Sequence, residues 1–89
     1  MRSNNKGQER EITCQIIEHL DVITSNDQGW TKELNIISWN DMAPKYDIRD
    51  WSPDHSKMGR GITLYASEME AVVDAYVKNR DKGLVGERQ

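Results

Sequence analysis

The chain has few of the residues from which small domains build disulfides, metal sites or a large aromatic core. It contains no phenylalanine, one cysteine, two prolines and two histidines among 89 residues. A single thiol excludes an internal disulfide, and one thiol with two scattered histidines is too few for a zinc site. We therefore expect no metal and no cofactor, and we expect Cys14 to be a half-buried strand residue.

Long hydrophobic runs are also missing. No apolar stretch approaches the roughly 20 residues that span a bilayer, and residues 1–10 lack the apolar centre of a signal peptide. These absences predict no membrane association and a cytoplasmic location, at the nucleoid if the protein is bacterial. Residues 1–10 and 81–89 are polar and aperiodic, so we expect flexible tails on either side of one folded domain at 11–80.

Positive charge is not in excess. The formal net charge is −3, whereas proteins that neutralise many phosphates usually carry a basic balance. Counterion release depends on the charges of one face, however, and a weakly acidic protein can carry a local basic stripe. With 36% apolar and 30% charged residues in so short a chain, the core must be thin, and self-association would add the missing burial.

Four segments have the composition of β-strands. Residues 11–24 are rich in β-branched side chains, and five apolar residues there share one parity: Ile12, Cys14, Ile16, Leu20 and Val22. A helical interpretation of Ile16, Ile17 and Leu20 is open, but the turn signal at 25–29 favours a strand. Further strands are predicted at 30–40, 44–51 and 58–65, separated by Asx-rich and Pro-containing turns.

A helix should follow the fourth strand. Ser67 and Glu70 have the spacing of a capping box, so the helix is predicted to begin there. Apolar residues then recur at helical spacing: Met69, Val72, Val73, Tyr76 and Val77. Because the core is thin, we expect this stripe to form a homodimer interface. The predicted fold class is α+β, a twisted four-stranded antiparallel sheet followed by one C-terminal helix.

The best catalytic candidates form a weak constellation. Four titratable residues lie close together: Asp47, Asp50, Asp54 and His55. Asp54 and His55 follow Pro53 in a predicted turn, where such residues are common for backbone reasons alone. Gly59-Arg60-Gly61 does not open a helix, as a dinucleotide-binding motif would. We therefore expect that the protein is not an enzyme.

The third strand fits a binding function better. Its alternation places Tyr46 and Ile48 on one face, which we assign to the core. The opposite face carries Lys45, Arg49 and Trp51. Cations there can meet phosphates, and an exposed tryptophan offers a flat surface on which any base can stack. We expect Trp51 to be exposed and Trp39 to lie in the core.

Other residues extend this combination of cations and aromatic rings. Trp30 and Lys32 repeat it at the start of the second strand, while Lys57 and Arg60 add charge after the third. The predicted nucleic-acid-binding set is Trp30, Lys32, Lys45, Arg49, Trp51, Lys57 and Arg60. Five acidic residues balance the five basic ones across 30–65, so composition alone leaves the function undecided.

Several runs occur in a specific order along residues 29–64. They are Gly29-Trp30, Ser38-Trp39-Asn40-Asp41, Tyr46-Asp47-Ile48-Arg49, Trp51-Ser52-Pro53-Asp54 and Met58-Gly59-Arg60-Gly61-Ile62-Thr63-Leu64. Together these runs resemble the YdbC-like bacterial branch of the transcriptional positive cofactor four family. The resemblance implies a homodimer that binds single-stranded DNA across curved sheets with little sequence preference. It also implies ligand contacts from Arg49, Trp51 and Arg60.

The sequence predicts the biological role less specifically than the fold. The resemblance implies a function in transcription regulation, replication or repair, with transcription or repair proteins as partners, and leaves open whether RNA is bound as well. The rival interpretation is a coactivator module, in which the same dimeric sheet recruits other proteins and binds DNA only weakly.

Overall fold

A computed structural model describes residues 12–87. Its elements are the strands β1 (Cys14–Ser25), β2 (Thr31–Trp39), β3 (Lys45–Trp51) and β4 (Met58–Leu64), the helix α1 (Ala66–Asn79) and a 3₁₀ turn at Arg80–Lys82. The strands form one antiparallel sheet in the order β1-β2-β3-β4. This confirms the predicted sheet with one C-terminal helix. The predicted tail at 1–10 lies outside the described residues, and the flexibility of 81–89 stays a prediction.

Alternation along β2 and β3 divides the sheet into two faces. The ladder pairs Glu33 with Arg49 on one of them, which we call the Arg49 face, and Leu34 with Ile48 on the other, the Ile48 face. The Arg49 face of these two strands carries Thr31, Glu33, Asn35, Ile37, Trp39, Lys45, Asp47, Arg49 and Trp51. The two faces differ in chemistry, because the first has a polar centre and the second is mostly apolar.

The sheet curls towards the Arg49 face. The Arg49 guanidinium lies 4.8 Å from the centre of the Trp39 ring, although Arg49 pairs with Glu33, six residues from Trp39 along β2. Six residues of a flat strand span roughly 20 Å, so the strands must bend to bring these side chains together. Three irregularities in the pairing of β1 with β2 are consistent with this curvature, because bulges bend and twist a strand.

Curling reverses the burial expected from the sequence. Trp51 is 4% exposed, and Ile37 and Asp47 are fully buried. Tyr46 and Ile48, which were predicted to lie in the core, are only half-buried. The predicted exposure of Trp51 is therefore wrong. Trp39, predicted for the core, is half-buried. The alternation of β3 was interpreted correctly, but alternation does not reveal the side towards which a sheet bends.

The single-parity pattern predicted for β1 does not hold. Pairing shifts occur between Ile16 and Glu18, His19 and Asp21, and Val22 and Thr24. As a result Ile16, His19 and Val22 pair with residues of the Arg49 face at a spacing of three, and Leu20 falls within a bulge.

Helix α1 begins earlier than its predicted capping box. Its first residue is Ala66, and the Tyr65 backbone N–H donates to Glu68 Oε1 at 2.8 Å, so Glu68 caps the helix in place of Glu70. No residue of α1 is buried, and its stripe residues Val72, Val73, Tyr76 and Val77 are 50–63% exposed. Among residues 12–87, no helix has the length and hydrophobicity of a membrane span.

Gly61 allows β4 to approach β3 closely. It pairs with Arg49, and a Cβ atom at this position would collide with the Arg49 side chain and the Ile48 carbonyl oxygen. A residue with a side chain would therefore push β4 away from Arg49. The glycine fixes the short distance between Arg49 and the edge of the sheet.

Candidate nucleic-acid interface

The structure distributes the predicted binding residues over both faces of the sheet. Lys45, Arg49 and Trp51 share the Arg49 face, as predicted from the alternation of β3. Lys32 pairs with Asp50 and lies on the Ile48 face, where it lines a shallow depression together with Arg60. Trp30, which directly precedes β2, lines a hollow next to Lys32, and Lys57 is exposed just before β4. The sequence therefore predicted one cluster, whereas the fold forms one on each face, and Arg49 of the first cluster also lines the depression of the second.

Arg49 is held by a buried carboxylate. Its Nε and Nη2 atoms donate to the two oxygens of Asp47 at 2.6 and 2.9 Å, and the Thr63 hydroxyl donates to Asp47 Oδ2 at 2.8 Å. Asp47 is fully buried, and the Arg49 side chain is 14% exposed. A bidentate pair of this kind fixes the plane of the guanidinium and offsets much of its charge.

The outer edge of the Arg49 guanidinium makes weaker hydrogen bonds. Nη1 lies 3.4 Å from the Gly59 carbonyl oxygen and 4.0 Å from Met58 Sδ, both long contacts. One face of the same guanidinium packs on the Trp39 ring. Arg49 is therefore fixed on two sides and retains donor capacity on the side of β4.

Glu33 is a second buried carboxylate on the Arg49 face. It is 3% exposed, accepts hydrogen bonds from Thr31 Oγ1 at 2.6 Å and Asn35 Nδ2 at 3.1 Å, and lies between two imidazoles. His55 Nε2 is 2.9 Å from Oε2, and His19 Nδ1 is 3.4 Å from Oε1. Burial alone would raise the pKa of Glu33, but the hydrogen bonds and the His55 charge together lower it. Glu33 is therefore ionised at neutral pH.

This cluster was not among the predicted site residues. Glu33 and Asn35 lie four and two residues before Ile37 in β2, so all three side chains are on the same side of the strand. Two polar residues on the side of a strand that carries a core isoleucine are the sequence signal that points to such a cluster. His19 bonds Asn35 through Nδ1 at 2.7 Å, and its position on this face depends on the bulges of β1. No local sequence signal brings His19 and His55 to the same carboxylate.

The turn after β3 places His55 over Trp51. The centres of the two rings are 5.4 Å apart, and their planes lie within 25° of parallel. Asp54 Oδ1 accepts from the Ser56 N–H and the Ser52 hydroxyl, both at 3.0 Å, which confirms the predicted turn. The bond from the Ser56 N–H is the main reason that the pKa of Asp54 falls to about 2. His55 itself has a left-handed backbone, with φ of 61°.

A groove of about 540 Å³ separates this turn from the start of β1. We call it the Trp51 groove; its lining residues are Ile12, Cys14, Gln15, Ile16, Trp51, His55, Ser56 and Met58. Cys14 is half-buried, as predicted. Burial, and to a lesser extent Asp47, raises the pKa of its thiol, although Arg49 opposes the shift. The protonated thiol is a weak nucleophile, so Cys14 contributes apolar surface to the groove.

The Arg49 face has the chemistry of a ligand-binding surface. Within residues 12–87, no group of histidine, cysteine and acidic side chains is placed to hold a metal ion. The Arg49 face instead offers a groove with both apolar and polar lining residues, stacked aromatic rings and an arginine with spare donors beside Gly59 and Met58. Flat unpaired bases and phosphate oxygens are the ligands that such a surface suits.

Comparison with known proteins places the chain in a family. The model of the family described as Transcriptional Coactivator p15 (PC4) matches residues 26–75, from the turn before β2 into α1. An uncharacterized protein from Treponema pallidum (strain Nichols) is 52% identical over 52 residues, which are 58% of this chain and 61% of that protein. The matched segment thus spans less than two thirds of this relative. Since the family match covers more than half of the chain and contains both halves of the Arg49–Asp47 site, the protein belongs to the Transcriptional Coactivator p15 (PC4) family.

Proposed function

We propose that this protein binds single-stranded DNA as a homodimer, with little sequence preference, and serves transcription, replication or repair. Family membership carries the proposal, because it supports single-stranded DNA binding or a coactivator role. A place in the YdbC-like branch, binding of RNA, recruitment of transcription or repair proteins and a cytoplasmic or nucleoid location are parts of the same proposal. It assigns no catalytic activity.

The two clusters of predicted binding residues can serve one ligand strand. Arg49 projects from one face of the sheet and pairs with Gly61 of β4, the edge strand, while Arg60 lies on the opposite face next to Gly61. A strand that crosses the β4 edge can therefore meet both arginines. Lys45 extends the first cluster, Trp30 and Lys32 extend the second, and Lys57 is exposed in the turn that precedes β4. Duplex DNA is a poor fit, since scattered cations on a curled sheet cannot read a groove and stacking needs unpaired bases.

Titration with fluorescently labelled oligo-dT at two salt concentrations tests this function. We expect binding that weakens with salt, that is weaker for a duplex of the same length, and that differs little between homopolymers. Replacing Arg60 with glutamine should weaken binding on all sequences and reduce the salt slope by about 0.7, the single-strand value for one phosphate contact.

Lys78, exposed in the last turn of α1 on the side away from the apolar stripe, provides the control. Lys78→Gln also removes one positive charge and should leave the salt slope unchanged. Equal affinity for duplex and single strand would contradict the proposal, and equal effects of the two substitutions would show that only net charge matters.

A second function is favoured by the pairing of Arg49 with Asp47. This pair offsets the charge of the central cation of the site, and the whole chain carries a net charge of −3. A coactivator module that binds proteins and has low affinity for DNA would have these features. An intact dimer that fails to bind oligo-dT at low salt would favour this alternative.

The exposed apolar surface supports dimerisation. The buried hydrophobic residues among 12–87 are Ile37 and Trp51, while the stripe of α1 and the Ile48 face lie open. Ile62 on that face is 54% exposed, Met69 is half-buried, and Tyr76 is 63% exposed. Monomeric proteins rarely leave apolar patches of this extent uncovered. A second copy that packs against the stripe of α1 would bury this stripe and leave the depression lined by Lys32 and Arg60 open to the ligand.

Light scattering at micromolar concentration tests the dimer. The expected mass is twice the 10.3 kDa of one chain. Val73→Glu places a charge in the centre of the stripe and should reduce the mass to that of a monomer, because an unpaired charge is costly to bury. Ala71→Glu adds the same charge on the opposite side of α1 and should leave the dimer intact. A monomeric parent chain, or a Val73→Glu variant that stays dimeric, would refute this interface.

A further inference from the structure

His55 covers the ring on which a base was expected to stack. Trp51 is 4% exposed, whereas the His55 side chain stacked on it is 43% exposed. A ligand in the Trp51 groove therefore finds more accessible surface on the imidazole than on the indole. His55 is one of the residues that line this groove.

Three contacts fix the His55 ring in this position. Its Nε2 is 2.9 Å from Glu33 Oε2, its inner face rests on Trp51, and its backbone N–H donates to the Ser52 carbonyl oxygen at 2.9 Å. Little side-chain freedom remains to be lost when a ligand packs on the outer face. A ring ordered in advance binds at a lower entropic cost than a mobile one.

We propose that His55, backed by Trp51, is the surface on which an unpaired base stacks in this protein. The inference rests on the proposed single-strand binding and changes the residue assigned to stacking from Trp51 to His55. Histidine is among the side chains on which splayed bases stack. Trp51 then acts from beneath, as a buried ring that holds the imidazole plane towards the groove.

His19 offers a matched control for His55. Both imidazoles contact the same carboxylate and have similar exposure, 49% for His19 and 43% for His55, but of the two it is His55 that stacks on Trp51. Asparagine suits both substitutions, because it is polar and tolerates the left-handed backbone at position 55. Any effect transmitted only through Glu33 should appear in both variants.

Affinity for oligo-dT separates the two histidines. We expect His55→Asn to weaken binding roughly 5- to 150-fold, the range for loss of one stacked base, with an unchanged salt slope. The affinity of His19→Asn should stay within about twofold of that of the parent chain, because His19 provides no stacking surface in the proposal. A twofold change is smaller than the smallest loss expected from stacking. Circular dichroism and light scattering must show the same fold and mass for all three proteins. Equal losses in both variants would overturn the inference, because the effect would then be transmitted through Glu33. A smaller salt slope in His55→Asn would also overturn it, because His55 would then act through charge.

Proton NMR of the parent chain gives a direct readout. The chain has two histidines, so the two Asn variants assign all the imidazole signals. Addition of oligo-dA should shift the His55 ring protons upfield, because a purine stacked on the imidazole shields them, and should move the His19 signals less. Saturating binding without a His55 shift, or unchanged affinity of His55→Asn, overturns the stacking assignment alone. Failure of the parent chain to bind any oligonucleotide overturns the proposed function as well.

Discussion

Replacing Asp47 with alanine is expected to lower the free energy of unfolding by about 3–5 kcal/mol, the usual loss when one partner of a buried ion pair is removed. Asp47 is fully buried, and it accepts two hydrogen bonds from Arg49 and one from Thr63. Its loss leaves a guanidinium that is 14% exposed without its counter-ion. Urea denaturation followed by far-ultraviolet circular dichroism measures the change.

Asp50 is the control for this experiment. It belongs to the same strand, is half-buried and pairs with Lys32 on the Ile48 face. Asp50→Ala should change the stability by less than about 1 kcal/mol, as expected for a partly solvated charge. All three proteins must be compared at one concentration, because the stability of a dimer depends on it. Equal stability of the two variants would show that the buried Asp47 carboxylate contributes no more to folding than a partly solvated one.

The sequence predicts the elements of this fold well because their signals are local. Strict alternation in 45–51, the turn signals around Pro53 and the apolar stripe after Ser67 each depend on neighbouring residues. The predicted strands and helix consequently agree with the structure to within a few residues. Even the placement of Arg49 and Trp51 on one face follows from this local periodicity.

Curvature and side-chain pairing could not be predicted in the same way. The bend that brings Arg49 to Trp39 accompanies bulges in β1, and each bulge reverses the alternation of that strand. The meeting of Glu33 with His19 and His55 joins three separate segments of the chain. The aromatic and basic residues of the site were predicted from their chemistry, whereas their burial depends on long-range geometry.

Trp51→Ala should destabilise the protein by about 3–5 kcal/mol, the cost of deleting a large buried aromatic side chain. Trp51 is one of the two buried hydrophobic residues among 12–87, and it supports His55 in the Trp51 groove. Loss of oligonucleotide binding by this variant would therefore follow from unfolding and not from the absence of a stacking surface. Thermal or urea unfolding must accompany any binding measurement on it.

Trp51→Phe separates these two causes. Phenylalanine keeps an aromatic ring beneath His55, and the buried indole N–H that it removes has no hydrogen-bond partner within the described chain. The smaller ring should cost clearly less stability than alanine and should preserve most of the oligo-dT affinity, because the base stacks on His55. A stable, dimeric Trp51→Ala variant that binds oligo-dT weakly, together with a His55→Asn variant that binds normally, would show instead that Trp51 itself meets the base. The curled sheet would then have to open when the ligand binds.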